Sequence, residues 1–263
     1  MRILLKMLAH IAVIVALTIF TQIGGVLWLL WFGTTRWRQN TVNNYLGFTV
    51  TYLLFSAFIV PRIAPFFGRE PLATSDNIQS VSFLTQLFNR HYVVPELNNV
   101  LVEASEQLPT EVQIRSLDAN FPFINGFPLF PHLSHNDGKK LDLAFVYLNG
   151  AGEVANQSPS RIGYGVFEKP ETHEFNQAEF CKDRGYWQYS FTKYFTLGTP
   201  RPGLEFSNVH TRQVLVKFVN DDRVGKIFVE RHLVERMGLS SDKLRFQGCG
   251  AVRHDDHIHI QLR

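Results

Sequence analysis

The first 66 residues contain no aspartate and no glutamate; their only charged side chains are Arg2, Lys6, Arg36, Arg38 and Arg62. Setting those five aside leaves 21 of the 26 basic residues against 23 acids, so the remainder of the chain is slightly acidic. The basic balance therefore belongs to the N-terminal end, and no nucleic-acid partner is expected from it. Cysteine is scarce as well, with only Cys181 and Cys249 and no CxxC pair, which excludes a thiolate-built zinc knuckle or a dithiol redox motif. An HExxH helix, a GxSxG elbow, a Walker A loop and a dinucleotide fingerprint are all missing, which removes the commonest hydrolase and nucleotide-binding signatures. Internal repeats and low-complexity tracts are also absent.

What the acid-free end does contain is apolar length. Residues 3 to 32 are almost continuously apolar, and about 20 such residues suffice to cross a bilayer. A second run, Tyr45 to Val60, ends at Pro61 and Arg62, and Trp28, Trp31, Trp37 and Tyr45 sit where amphipathic rings favour a membrane interface. The pattern predicts an N-terminal transmembrane helical hairpin over 1–66, contacting the lipid bilayer, with the connector Thr34 to Asn44 between its arms. Arg36 and Arg38 draw the connector to the cytoplasm while Arg2, Lys6 and the α-amine draw the N-terminus there, so charge alone admits both orientations.

Residues 67–80 turn polar and read as a linker, after which 81–263 form the globular domain. Residues 81 to 92 and 95 to 107 carry helical apolar spacing, and 112 to 117 reads as a strand. Leu141 to Tyr147 alternates as a strand does, 148–179 looks like a long irregular excursion, and the aromatics of 185 to 195 suggest a core hairpin. Residues 208 to 220 predict a helix, 226 to 230 a strand, and 231 to 237 a short helix. The expected class is α+β, a small antiparallel sheet with flanking helices. The two cysteines either form a disulfide, as an extracytoplasmic setting allows, or remain thiols, with Cys249 a lesser candidate as a metal ligand.

Two short blocks carry the chemistry. The chain ends RHDDHIHIQLR, where His257, His259 and Gln261 alternate with Ile258, Ile260 and Leu262. A strand with that alternation points both histidines to one side, so one can bind a metal while the other stands beside the water the metal activates. The other block, HLSHNDGKKLD, supplies His132, His135 and Asp142, with Gly138 available for a turn. His135, Asp142 and His259 together make the three protein ligands of a catalytic zinc with one position open. Asp255 and Asp256 either orient the imidazoles or form a solvated turn.

HLSHNDGKKLDLAF and RHDDHIHIQLR resemble the two signature blocks of penicillin-insensitive murein endopeptidase, within the lysostaphin, D-Ala-D-Ala carboxypeptidase and hedgehog-like metallopeptidases. The resemblance implies Zn2+ held by His135, Asp142 and His259, with His257 catalytic and His254 and His132 supporting it. It implies a peptidoglycan endopeptidase that cuts peptide cross-links between murein stems. It covers 128 to 145 and 224 to 262, and the membrane segment has no counterpart in it. A D,D- or L,D-carboxypeptidase on the same metal core, or a non-catalytic membrane-bound cell-wall regulator, are the alternatives. The expected location is the bacterial inner membrane with the catalytic domain in the periplasm.

Overall fold

The computed structural model describes residues 1–34, 41–196 and 200–263. The basic residues Arg36 and Arg38 and the ring of Trp37, expected in the connector, lie outside them. The N-terminal helix α1 (Arg2–Thr21) has 20 residues, about 30 Å of rise. It stops at Gln22, whose φ of 64° is left-handed, and α2 (Gly24–Thr34) starts with Thr21 Oγ1 accepting from the Gly24 amide at 2.8 Å. A Cβ on Gly25 would stand 2.0 Å from Thr18 Oγ1 and 2.5 Å from the Ile14 carbonyl oxygen, so glycine is what lets α2 lie back along α1. Trp28 Nε1 donates to His10 Nδ1 at 3.1 Å across this pair. Helix α3 (Thr41–Leu54) then packs on α2, with Trp31 Nε1 donating to the Asn44 carbonyl at 2.9 Å and the Trp28 and Phe48 rings 4.9 Å apart.

The apolar run 3 to 32, expected as one span, is therefore divided at Gln22, and its second part doubles back. Arg2–Thr21 and Asn43–Phe67 are long and apolar enough to cross a membrane. The eleven residues of α2 rise only about 16 Å and do not reach that length. The second apolar helix also outruns its expected end at Val60, continuing through a π turn (Phe55–Ile59), an α turn (Val60–Ile63) and a 3-10 turn (Ala64–Phe67). The π turn ends two residues before Pro61, which has no N–H to give the helical ladder.

That continuation rests on the domain. Tyr52 Oη donates to the Leu87 carbonyl at 2.7 Å, Asn89 Nδ2 donates to Tyr52 Oη and Ser56 Oγ at 3.1 and 3.2 Å, and Val60 and Ala64 are buried beside Tyr92. Residues 67–80, expected as a linker, are integral to the fold. They contribute β1 (Glu70–Pro71) and β2 (Ile78–Ser80), while the buried Arg69 guanidinium donates to Phe121 O, Asn125 Oδ1 and Asn136 O.

The other strands are β3 (Tyr92–Val93), β4 (Ile114–Ser116), β5 (Lys140–Ala144), β6 (Tyr147–Leu148), β7 (Glu205–Phe206), β8 (Val224–Phe228), β9 (Leu244–Arg245) and β10 (His257–Leu262). Six of them form the central sheet in the order β2-β4-β5-β10-β8-β9; β1 pairs with β3, and β6 with β7. The sheet is mixed rather than wholly antiparallel, because β2–β4 and β8–β9 run parallel. Each parallel pair is bridged by a crossover helix, Pro95–Glu106 for the first and Arg231–Arg236 for the second, as parallel neighbours require. Leu141, Leu143, Ile227, Ile258 and Ile260 form one buried core with Leu97 and Leu101 of Pro95–Glu106 and Leu215 and Phe218 of the helix Asn208–Asn220.

Two local expectations change. The helix expected over 81 to 92 shrinks to Leu84–Leu87, cut off by Asn89 at φ 56° ahead of β3. The aromatic stretch expected as a hairpin forms 3-10 turns over Trp187–Phe195, kinked at Ser190, with Trp187 and Tyr194 exposed. Cys181 and Cys249 are joined in a disulfide that ties the helix Gln177–Asp183 to the loop before β10.

Candidate metal centre

The centre is built on one cross-strand pair. In the antiparallel register of β5 and β10, His259 faces Asp142 and His257 faces Ala144, which puts Asp142, His257 and His259 on one side of the sheet. Ile258, Ile260, Leu141 and Leu143, of opposite parity, fill the core beneath. His135 comes from the loop before β5, which turns at Gly138 (φ 82°), where a Cβ would meet Arg69 Nε at 2.9 Å. Gly138 N–H donates to Asn120 Oδ1, and Arg69 holds the same loop from below.

Three donor atoms converge from these elements. His259 Nδ1 lies 2.8 Å from Asp142 Oδ1, His135 Nε2 lies 3.2 Å from the same oxygen, and the two ring nitrogens are 3.0 Å apart. Around a tetrahedral zinc with bonds of about 2.0–2.1 Å, donor atoms stand roughly 3.3 Å apart, so the triangle is close to the size of a metal triad. His135 Nδ1 donates to the Ala119 carbonyl at 2.6 Å, which in the neutral ring leaves the Nε2 lone pair facing the triangle. His132 Nδ1 approaches Asp142 from its other side, 2.7 Å from Oδ2. His132, His135 and Asp142, all buried, form a group that can bind a metal ion.

Electrostatics agree with that reading. Burial pushes the Asp142 carboxyl up, but the surrounding imidazoles of His135, His257 and His132 outweigh it and hold the group well below the usual carboxylate range. Burial drives His259 down to about 4 despite its hydrogen bond with Asp142, so the ring is neutral and carries a lone pair. Among the described residues the Nε2 atoms of His132 and His259 are buried without a hydrogen-bond partner, and His132 Nδ1 has only the Asp142 carboxylate, 2.7 Å away. Orphaned imidazole nitrogens around a carboxylate call for a further group between them, and the donor chemistry suits a divalent cation.

His257 stands beside the triangle. Its Nδ1 is hydrogen-bonded by Asp256 Oδ1, whose Oδ2 accepts from Gly165 N–H at 2.6 Å, and its Nε2 points toward Asp142 Oδ2 at 3.8 Å. Burial lowers the His257 pKa, but the Asp256 and Asp142 carboxylates raise it to about 9. The His132 ring is parallel to His257 at 5.6 Å, and the His254 ring lies 4.8 Å from His257 and 5.8 Å from His259. Burial and the neighbouring imidazoles push His254 well below its ordinary value. All six histidine and aspartate positions singled out in the sequence thus lie together, around a cavity of about 350 Å³.

Tyr164 and Glu230 had no signal in the sequence, and Asp256, hydrogen-bonded to His257, takes the imidazole-orienting one of the two roles read for the acidic pair. Tyr164, inside the irregular excursion, donates to Asp142 Oδ2 at 2.9 Å and accepts the Asp118 amide at 3.0 Å. Asp255 and Asp256 are buried, not in a solvated turn; Arg253 pairs with Asp255. Glu230 accepts from Tyr189 Oη and from the His254 amide (3.1 Å), which fixes the backbone where the last block begins. Comparison of the chain with protein-family models and with curated proteins finds no match.

Proposed function

We propose that the protein is a membrane-anchored zinc metallopeptidase acting on the peptide cross-links of peptidoglycan. The observation that carries the reading is the triangle of His135 Nε2, Asp142 Oδ1 and His259 Nδ1, with edges of 3.2, 2.8 and 3.0 Å, and a third histidine, His257, beside it. In this reading His135, Asp142 and His259 would hold zinc, which would supply Lewis-acid chemistry toward a scissile carbonyl and a more acidic water. His257, its Nδ1 engaged by Asp256 Oδ1, turns Nε2 toward the centre, where it would act as a proton acceptor. With a cation held by Asp142, one of the two carboxylates that keep His257 protonated would be offset, so its Nε2 lone pair would be free to take a proton. His132 and His254 flank the reacting position, and Tyr164 orients the ligating carboxylate.

Cell-wall peptide as the substrate follows the resemblance of HLSHNDGKKLD and RHDDHIHIQLR to murein endopeptidase blocks. Two helices of membrane-crossing length and a disulfide support a bacterial inner-membrane location with the domain in the periplasm, where thiols oxidise. The test is metal analysis combined with muropeptide digestion on the full chain in detergent. About one zinc per chain and conversion of cross-linked dimers to monomers are expected. His257→Ala keeps the metal and loses turnover by ~10²–10⁴-fold, while His259→Ala or Asp142→Ala loses both. Undiminished turnover in His257→Ala overturns the base assignment, and release of terminal D-alanine in place of monomers makes the enzyme a carboxypeptidase.

A further inference from the structure

A second cavity, of about 330 Å³, adjoins the metal centre on the side of α1. Phe20 of α1, Leu84, Phe88, Phe130 and Ile162 form its apolar walls. The charged residues of its lining, Arg90 and Asp118, neutralise each other at 2.6 Å. Its inner wall is His132 and Tyr164, which are themselves 2.7 and 2.9 Å from Asp142 Oδ2, so one layer of side chains separates the apolar space from the donor triangle. His132, Phe130 and Pro131 line both cavities.

We propose that this cavity takes the hydrocarbon chain of a membrane-borne peptide substrate and so presents its peptide head to the metal centre. The assignment rests on the peptidase reading of the metal centre and gives it a lipid-linked peptide as substrate in place of a lipid-free murein stem. Ile11, Val15 and Ile19, at four-residue spacing, are exposed along α1, and Phe20 carries that apolar surface to the cavity. The domain adds exposed Phe83 and Leu133, chain neighbours of the cavity residues Leu84 and His132, and exposed Ile124, which follows Phe123, whose amide donates to Gln22 Oε1 at the end of α1. A chain leaving a bilayer along α1 therefore meets apolar surface all the way to Phe20. Murein stem peptides, built of alanine, glutamate and diaminopimelate, carry no large apolar side chain to fill such a space. A lipid tail does, and an uncharged apolar cavity of this size suits one.

The experiment uses the full chain in phosphatidylethanolamine and phosphatidylglycerol vesicles. The probe is an alanyl peptide bearing a palmitoyl chain with a terminal diazirine; after photolysis the adducts are mapped by mass spectrometry. Adducts on Leu84, Phe88 or Ile162 are expected, and Leu84→Glu, which places a charge in the cavity, lowers them ~10-fold or more while adducts on Ile11 and Val15 persist. Adducts confined to α1, α2 and α3 overturn the proposal. Labelling needs no turnover, so chain capture without any peptide cleavage refutes the peptidase reading and leaves the cavity assigned. Peptide cleavage with an unlabelled cavity refutes the cavity alone. In a second readout the wild-type protein cuts the lipidated peptide with kcat/KM ~10-fold or more above the same peptide without its chain, and equal values overturn the proposal.

Discussion

Replacing Glu230 with glutamine is expected to make the protein more stable at pH 8 and to leave it little changed at pH 5. Glu230 is 3% exposed, and burial with the nearby Asp255 carboxylate raises its pKa from 4.5 to about 7, against the lowering effect of its Tyr189 and His254 hydrogen bonds. The unfolded chain releases this proton near pH 4.5, whereas the folded chain keeps it until about 7. Between those values the folded state binds more protons, so stability falls as pH rises and settles at its lower level above the folded pKa. At about 1.4 kcal/mol for each unit of pH, the interval amounts to roughly 3 kcal/mol. Glutamine removes the titration but keeps an Oε1 to accept from Tyr189 Oη and the His254 amide. Its amide nitrogen takes the place of Oε2, which has no hydrogen-bond partner in the described structure. Urea unfolding of the full chain in detergent, followed by tryptophan fluorescence at pH 5 and pH 8, measures the effect. A variant that is less stable than the parent at both pH values, with an unaltered pH slope, refutes the argument.

Three further outcomes follow from the site and its supports. Tyr164→Phe removes a hydrogen bond to the Asp142 carboxylate and, with Asp142 a ligand as proposed, is expected to weaken metal binding by ~10–100-fold, read by competition with a chromogenic chelator. Arg69→Met leaves the acceptors on Phe121, Asn125 and Asn136 without their buried donor, costs about 3 kcal/mol of stability, and loosens the loop that carries His132 and His135. Denaturant midpoints and metal stoichiometry check both effects. Cys181→Ser opens a cross-link across 68 residues and is expected to cost about 4 kcal/mol, which unfolding of the oxidised parent beside the variant measures.

Much of the centre was legible because strand parity is a local property. The alternation of HIHIQL fixes which way His257 and His259 point, and the alternation of LDLAF does the same for Asp142, before either strand has found its partner. Tyr164 and Glu230 were not legible, since each reaches its partner through a loop without periodicity or a contact between distant segments. Hydropathy marked the apolar N-terminal run but not its reversal. The reversal depends on Gly25 admitting the backbone of a neighbouring helix, which a window of mean apolarity does not register. The aromatic stretch failed for a similar reason: rings at 3-10 spacing and rings in a hairpin look alike in composition. The supposed linker misled because Arg69 and Glu70 are polar by type, while one is buried and the other lies in a strand.

The seating of Tyr52, Val60 and Ala64 against Leu87, Asn89 and Tyr92 means that the domain does not hang from a tether. Its elevation relative to α1 and α3 is set by side-chain contact, like a lamp bolted to a bracket. A site mounted that way reaches a single thin stratum, and whatever binds there must be delivered to that level.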